Sequence, residues 1–227
     1  MESRMNIPRI IVSSALLIST AGAHAVTLAE SDFSASLDGW KTSPGDQWIL
    51  RYALTGGNPG AYARGDDRAG NPSYYLAPSK YLGDWSGLNS NGNLSWDHAT
   101  VVLGPNPTPF GMIPIARLSG PGGSAVFQFN VSGTVQGVWQ HFSAPITQAS
   151  WTVQSGSWAA LLKNITALQI NGEFISNGAP PGFEIWGLDN VTLTSTVPEI
   201  PTTMLLILGV AAFVAKDRRR RATKNAG

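Results

Sequence analysis

The sequence predicts an all-β domain built as a two-sheet sandwich, flanked by an N-terminal signal helix and a short C-terminal hydrophobic helix. All eight tryptophans fall between the two ends, in a region rich in Gly, Pro, Asn, Ser and Thr, without a long amphipathic helix pattern. Turn-type stretches such as TGGNPG, GPNPTPFG and SGPGG separate short alternating runs. Many short strands with turn-rich connections are typical of a sandwich of two sheets.

Residues 1–25 have the three-part layout of a secretory signal peptide. A short polar start with two arginines is followed by an apolar run from Ile10 to about Ala23. This run offers only Ser and Thr as polar residues, whereas a helix of the fold would carry polar residues at helical spacing. Small residues at Ala23 and Ala25 suit a signal peptidase, so we predict export and cleavage after Ala25.

Residues 26–196 are predicted to form one domain. They contain seven Lys and Arg against 11 Asp and Glu, a net charge of −4, whereas the whole chain carries +1. Nucleic-acid binding requires clustered Lys and Arg, so this mildly acidic domain is not expected to bind nucleic acid. The chain has no cysteine, so an exported domain must be stabilised by its core or by a metal rather than by disulfides.

Three segments of this domain predict strands in chain order. GNLSWDHA places Trp96 and His98 on one face. SAVFQFNVSG alternates over Ala125–Val131, with Gln128 on the opposite face to the phenylalanines. GFEIWGLDNVTLTS is interpreted as a last strand, or a pair of strands with a break at Gly187. SWAALLKNI is the one segment with a helical pattern, of two turns at most.

Several motifs together resemble the laminin B (domain IV) family. They are SDFSASLDGW, GNPGAYARGDD, SYYLAPSKYLGDWSG, GNLSWDH and GLDNVTL, spread from Ser31 to Leu193, with the strongest stretch at Tyr74–Trp96. The resemblance implies a jelly-roll sandwich, similar to galactose-binding and carbohydrate-binding domains.

Aromatic side chains are the candidate ligand-binding residues of this domain. Saccharides stack their apolar faces on exposed Trp or Tyr rings, with polar groups beside them. The strand patterns place Trp40, Trp96 and Trp186 in the core, while other aromatics lie near turns. The residues predicted to bind a ligand are Trp48, Tyr62, Trp85 and Trp139.

Four aspartates form a candidate calcium site: Asp32, Asp66, Asp67 and Asp189. Asp32 and Asp189 would lie on neighbouring strands if the sandwich closes its first strand against its last. Asp66 and Asp67 lie in a Gly-flanked segment, and hard cations bind carboxylate and carbonyl oxygens. The alternative is that all four are ordinary turn residues.

No catalytic residues are predicted. Glu173 and Glu184 could in principle form the acid and base of a glycosidase, but nothing in the sequence fixes their separation. His98 and His141 lack metal-ligand spacing, and no Ser or Cys nucleophile motif is present. We therefore expect a protein that is not an enzyme.

The C-terminal segment, residues 197–227, combines a Pro-Glu motif, a short apolar run and an arginine cluster. Thr202–Ala215 has 14 residues, about 21 Å as a helix, against a hydrocarbon core of about 30 Å. Such a span is marginal as a permanent anchor, and the arginines would stay on the cytoplasmic side. These features are typical of a sorting signal that is removed from the mature protein.

This segment resembles the PEP-CTERM sorting domain of Gram-negative bacteria, which an exosortase recognises. Ile200 stands where that motif usually has a second proline. The matching residues are Val197, Pro198, Glu199, Arg218, Arg219, Arg220 and Arg221. The resemblance implies transient anchoring in the inner membrane and delivery to the cell envelope or extracellular matrix.

Together these features predict an exported, non-catalytic module that binds a cell-surface or matrix polysaccharide. Two alternatives remain open from the sequence: a surface-attached enzyme acting on that polysaccharide, and a purely structural matrix protein that binds no sugar.

Overall fold

The strands of the domain form two main sheets in a computed structural model, which describes residues 23–43, 48–67, 73–102, 107–177 and 184–198. The strands are β1 Ala23–Ser31, β2 Lys41–Thr42, β3 Ile49–Gly57, β4 Gly60–Asp67, β5 Tyr74–Leu76, β6 Gly92–Val102, β7 Pro107–Pro109, β8 Met112–Gly120, β9 Gly123–Asn130, β10 Gln140–Pro145, β11 Thr152–Gly156, β12 Ala167–Asn171, β13 Ile175–Asn177 and β14 Glu184–Pro198. The helix α1 covers Trp158–Leu162, and single 3-10 turns lie at Ser79–Tyr81 and Ser86–Leu88.

The first sheet has the strand order β10-β6-β14-β4-β3, with β1 paired to β14. The second sheet has the order β11-β9-β8-β12-β5-β2, and β7 pairs with β13 in a small separate ribbon. Ala25–Val197 form one compact unit. The all-β, two-sheet prediction is thereby confirmed, and the predicted short helix is α1, which Ser157 caps by accepting a hydrogen bond from the Ala160 N–H.

The core lies between the two sheets and is rich in aromatic rings. Trp96 and Trp186 are fully buried, and Trp40 is 2% exposed, so the three tryptophans predicted from strand patterns are core residues. Trp96 stacks on Phe142 with 5.6 Å between ring centroids, and Phe142 packs edge to face on Phe174. Such rings bury large apolar areas, which suits a domain without disulfides.

The last strand does not break at Gly187. β14 runs from Glu184 to Pro198, and its register against β6 shifts between Ile185 and Trp186 and again after Asp189. A Cβ atom at Gly187 would lie 2.5 Å from the Trp139 ring, so glycine is needed there for close packing against that ring.

The terminal segments predicted to be helical, up to residue 22 and from residue 199, lie outside the described residues. Among the residues that are described, no helix is long and apolar enough to cross a membrane.

Candidate functional site

The outer face of the second sheet carries a polar cleft of about 330 Å³. Side chains alternate along a strand, so every second residue of β8, β9 and β12 points outward while those between them enter the core. Arg117 of β8 pairs with Val126 of β9 on one side and with Gln169 of β12 on the other. We call this surface the amide cleft and define it by Arg117, Ser119, Ser124, Gln128, Gln154 and Gln169.

Three glutamines and two serines give the amide cleft its hydrogen-bonding groups. An amide has two donor hydrogens and an acceptor oxygen, and a hydroxyl both donates and accepts, so this set can bond a ligand hydroxyl in either role. The Gln169 Nε2 donates to the Ser43 Oγ at 3.1 Å, and the Gln128 Oε1 accepts from the Thr152 Oγ1 at 3.5 Å. These bonds orient the two amides and use only part of the bonding capacity of each.

Arg117 is the one cation among the described residues that line the cleft. Its guanidinium carbon lies 4.9 Å from the centroid of the Tyr74 ring, a distance typical of a cation–π contact. The Arg117 Nε is buried and has no hydrogen-bond partner within the described part of the chain. A buried donor left without an acceptor costs about 1–3 kcal/mol, so a ligand oxygen that satisfies the guanidinium would be favoured.

Three of the four aromatic residues predicted to bind a ligand are buried instead, Trp48 and Trp85 in the core and Tyr62 beneath Trp139 on the outer face of the first sheet. Trp48 and Tyr62 are each 4% exposed and Trp85 is 2% exposed. The Trp85 Nε1 donates to the Tyr81 carbonyl at 3.1 Å, in the segment that connects β5 of the second sheet to β6 of the first. Enclosed rings offer no face for a saccharide, so these three residues are corrected to packing residues.

Trp139 is the fourth predicted aromatic, and it is half-buried on the outer face of the first sheet. Its Nε1 donates to the Gly56 carbonyl at 3.0 Å, and its ring packs edge to face on Tyr62 with 5.5 Å between centroids. The ring therefore shields Tyr62 and Gly187. A ligand-binding role for Trp139 stays a prediction.

Asp66, one of the four carboxylates predicted to bind calcium, is already paired with arginines. Asp66 forms ion pairs with Arg51 at 3.0 Å and with Arg64 at 2.6 Å, which occupy both of its oxygens. The side chain of Asp67 lies outside the described part of the chain. The arginines therefore neutralise Asp66, and calcium binding that involves Asp67 stays a prediction. Over the residues that the structure covers, no group of three or more His, Cys, Asp or Glu is arranged to hold a metal.

Asp32 is exposed, and hydrogen bonds from the N–H and Oγ of Ser34 lower its pKa. Asp189 is fully buried and burial raises its pKa to about 6. The two charges are close enough that Asp32 contributes to that rise. Calcium binding by these two aspartates, with other oxygens, stays a prediction.

A buried hydrogen-bond network ties the β3–β4 turn to β6 and β14. The Asp189 Oδ2 accepts the Asn58 backbone N–H at 2.6 Å, and the Asp97 Oδ2 accepts from Asn58 Nδ2 at 3.1 Å and from Asn190 Nδ2 at 2.8 Å. The exposed His141 contacts the other oxygen of Asp97 through Nδ1 at 2.7 Å. These bonds satisfy the buried carboxylates within the protein, so we assign the network a structural role.

A second cavity of about 520 Å³ lies beside this network, and its lining includes Asp32, Tyr52, Leu54, Pro59 and Asn190. The polar groups here already bond to the protein: the Tyr52 hydroxyl donates to the Ser34 carbonyl at 2.9 Å, and the Asn190 amide bonds Asp97 and Asn58. The amide cleft, with its unused donor, is the better candidate for a ligand site.

The two glutamates considered for catalysis do not line the amide cleft. Glu184 is 5% exposed at the start of β14, and Glu173 is half-buried just after β12. Neither faces the surface where the hydrogen-bonding groups of the sheet converge.

Sequence reasoning missed Arg117, Tyr74 and the glutamines of the cleft. The alternation in SAVFQFNVSG did put Gln128 on the face away from the phenylalanines, which was the available signal. These side chains come together because β12 pairs with both β8 and β5. Pairing between strands that are distant in sequence cannot be predicted from the local pattern of residues.

Comparison with known proteins identifies distant structural similarity only. No family model matches the chain, and no curated protein matches it. A family 11 carbohydrate-binding module of Clostridium thermocellum, in complex with a β-1,3-1,4-mixed-linked tetrasaccharide, shares 17% identity at a TM-score of 0.46, over 80% of this chain and 100% of that one.

Two further structures are similar at the same level. A tandem of family 22 carbohydrate-binding modules from Paenibacillus barcinonensis shares 14% identity at a TM-score of 0.48, over 75% of this chain and 50% of that one. The L4b domain of human laminin alpha-2 shares 11% identity at a TM-score of 0.42, over 55% of this chain and 71% of that one. With scores below 0.5, these similarities do not assign the chain to a family.

Proposed function

We propose that the domain is an exported, non-catalytic module that binds a saccharide of the cell surface or extracellular matrix. The amide cleft is the observation that carries the proposal. It brings three amides, two hydroxyls and one guanidinium onto one open sheet face, and hydroxyl-rich ligands need this mixture of donors and acceptors.

The expected affinity is low. A few hydrogen bonds on an open face give dissociation constants from micromolar to millimolar, about −8 to −4 kcal/mol. Many copies held on one polymer or one surface would multiply this affinity through avidity. A module of this kind serves attachment rather than turnover.

Replacing both Gln128 and Gln169 by alanine is expected to weaken binding about tenfold, because each lost hydrogen bond contributes about 0.5–1.5 kcal/mol. Affinity electrophoresis of the full chain through gels containing a panel of polysaccharides measures this effect. Gln148→Ala is the matched control, since Gln148 is exposed in the β10–β11 turn outside the cleft. Equal retardation of the double variant and the unaltered protein would contradict the assignment of the cleft.

Further outcomes would distinguish the proposed binding module from an enzyme, from a module with its site at Trp139, and from a purely structural protein. Release of reducing ends from a retarding polysaccharide, abolished by Glu173→Gln or Glu184→Gln, would replace the binding module by an enzyme. Loss of retardation in Trp139→Ala, with the glutamine variant unaffected, would move the site to the outer face of the first sheet. No retardation by any polymer would favour a purely structural matrix protein.

The C-terminal segment is proposed to direct sorting by an exosortase. Its apolar run is too short for a comfortable anchor, so in cells with the processing machinery we expect most molecules to lose everything after about Pro198–Glu199. Mass spectrometry of surface material measures the new C-terminus. Intact arginine tails on most molecules would instead indicate a permanent membrane anchor.

A further inference from the structure

We propose that the amide cleft selects an acidic saccharide, with Arg117 binding the carboxylate of a uronate unit while the glutamines bond its hydroxyls. This inference rests on the proposed function and names the chemical class of its ligand. Three observations support it: the missing counterion of Arg117, the position of its guanidinium, and the neutral lining around it.

Within the described residues, Arg117 is the half-buried cation that makes no ion pair, whereas Lys41 and Lys163 also make none but are exposed. Arg51 and Arg64 pair with Asp66, and Lys80 pairs with Asp38. Over the described residues Arg117 makes no ion pair, and its buried Nε has no acceptor. A half-buried cation without a counterion is the group in this surface with most to gain from an anion.

The guanidinium is held in place before any ligand arrives. β8 lies between β9 and β12, so Arg117 has Val126 and Gln169 as direct neighbours across the sheet. The Tyr74 ring supports the guanidinium from a further position on the same sheet. Because the side chain is already positioned, binding requires less loss of conformational freedom than it would for a mobile surface arginine.

A carboxylate fits this cation better than a neutral hydroxyl does. The planar guanidinium presents parallel N–H groups that match the two oxygens of a carboxylate, and a hydroxyl oxygen can satisfy only one of them. The described residues that line the cleft include no Asp or Glu that would compete for Arg117 or repel an anion. The neighbouring amides and serines then remain available for the hydroxyls of the same sugar ring.

The overall charge of the domain argues for a local site rather than a general attraction to polyanions. Residues 26–196 carry a net charge of −4, which repels acidic polymers at long range. One cation surrounded by neutral hydrogen-bonding groups suits a single carboxylate per bound segment, whereas a nucleic acid or heavily sulfated chain requires several. Selectivity for an acidic saccharide must therefore arise inside the cleft.

The test compares each acidic saccharide with its own neutral derivative. Oligomers of galacturonate, of mannuronate and of a glucuronate-containing glycan, each as free acid and as methyl ester, are titrated into the full chain by calorimetry. For at least one backbone we expect the acid to bind about tenfold or more tightly than the ester, the advantage of a charge-assisted bond over a neutral one. This comparison uses the unaltered protein, so it does not depend on how any variant folds.

Arg117→Gln should remove the advantage of the acid over the ester, because the uncharged amide of glutamine bonds the two forms alike. Arg117→Lys should restore only part of it, because an ammonium lacks the planar fork. The control is Arg51→Gln, which removes a cation from β3 in the other sheet and should change neither titration.

The possible outcomes distinguish the acidic-saccharide inference, the two-point geometry at Arg117 and the proposed function from one another. Equal binding of acid and ester by the unaltered protein would overturn the acidic-saccharide inference and leave saccharide binding standing. Full recovery by Arg117→Lys would overturn the two-point geometry. Binding of neither form, on these backbones and on the neutral polymers of the affinity gels, would remove the proposed function and this inference with it.

Discussion

Trp96→Ala is expected to lower the free energy of unfolding by about 3–5 kcal/mol, the range for truncating a large aromatic residue in a packed core. Trp96 has no exposed surface, and it lies on β6 in the first sheet, where its ring stacks on Phe142 at 5.6 Å. Alanine would leave a cavity in the packed core, which cannot close without moving strands. Denaturation of the full chain by urea, followed by intrinsic fluorescence, measures the change.

Trp139→Ala is the matched control for this experiment. It removes the same side chain from a half-buried position on the outer face of the first sheet, where it makes one hydrogen bond to Gly56. The expected loss is smaller, because solvent can fill the space that the ring leaves. Trp85→Ala should behave like Trp96→Ala, since Trp85 is 2% exposed. Equal destabilisation by Trp96→Ala and Trp139→Ala would contradict the described core.

The period of two along a strand made part of this fold predictable. In GNLSWDHA it placed Trp96 and His98 on one face, and both side chains are fully buried in the structure. The same reasoning identified β9, and the helical pattern of SWAALLKNI predicted α1. Local alternation is sufficient for such statements because it depends only on neighbours in sequence.

Features set by distant parts of the chain could not be predicted in this way. Trp48 and Trp85 lie near turns in the sequence, yet they are 4% and 2% exposed and belong to the core. Asp66 was interpreted as a calcium ligand because it lies among glycines, but strand pairing places it against Arg51 and Arg64. The position of Arg117 in the amide cleft depends on the pairing of β8 with both β9 and β12, which lies beyond any local pattern.

His98 is expected to make the fold less stable as the pH falls from about 6.5 to 4. Burial lowers its pKa to about 4, and its Nε2 lies 2.9 Å from the Gly172 carbonyl while its ring stacks on Phe174 at 3.9 Å. Below pH 6.5 the unfolded chain takes up a proton on this imidazole that the folded protein does not bind until about pH 4. The difference of about 2.5 pH units corresponds to about 3 kcal/mol of stability, present above pH 6.5 and lost towards pH 4.

Asp189 changes the stability of the fold in the opposite direction to His98 as the pH falls. The two contributions therefore offset each other in the pH dependence of the unaltered protein. Its folded pKa is raised by burial to about 6, above its ordinary value of 3.8, so the folded state binds a proton first and gains stability as the pH falls through this window.

Urea denaturation of one variant of each residue, at several pH values between 4 and 7, measures the two contributions separately. His98→Phe should show stability that rises towards pH 4 relative to the unaltered protein, because it removes the imidazole and keeps an aromatic ring beside Phe174. Asp189→Asn should show stability that falls towards pH 4 more steeply than in the unaltered protein. Parallel pH profiles for the two variants would mean that His98 is not the neutral core residue described.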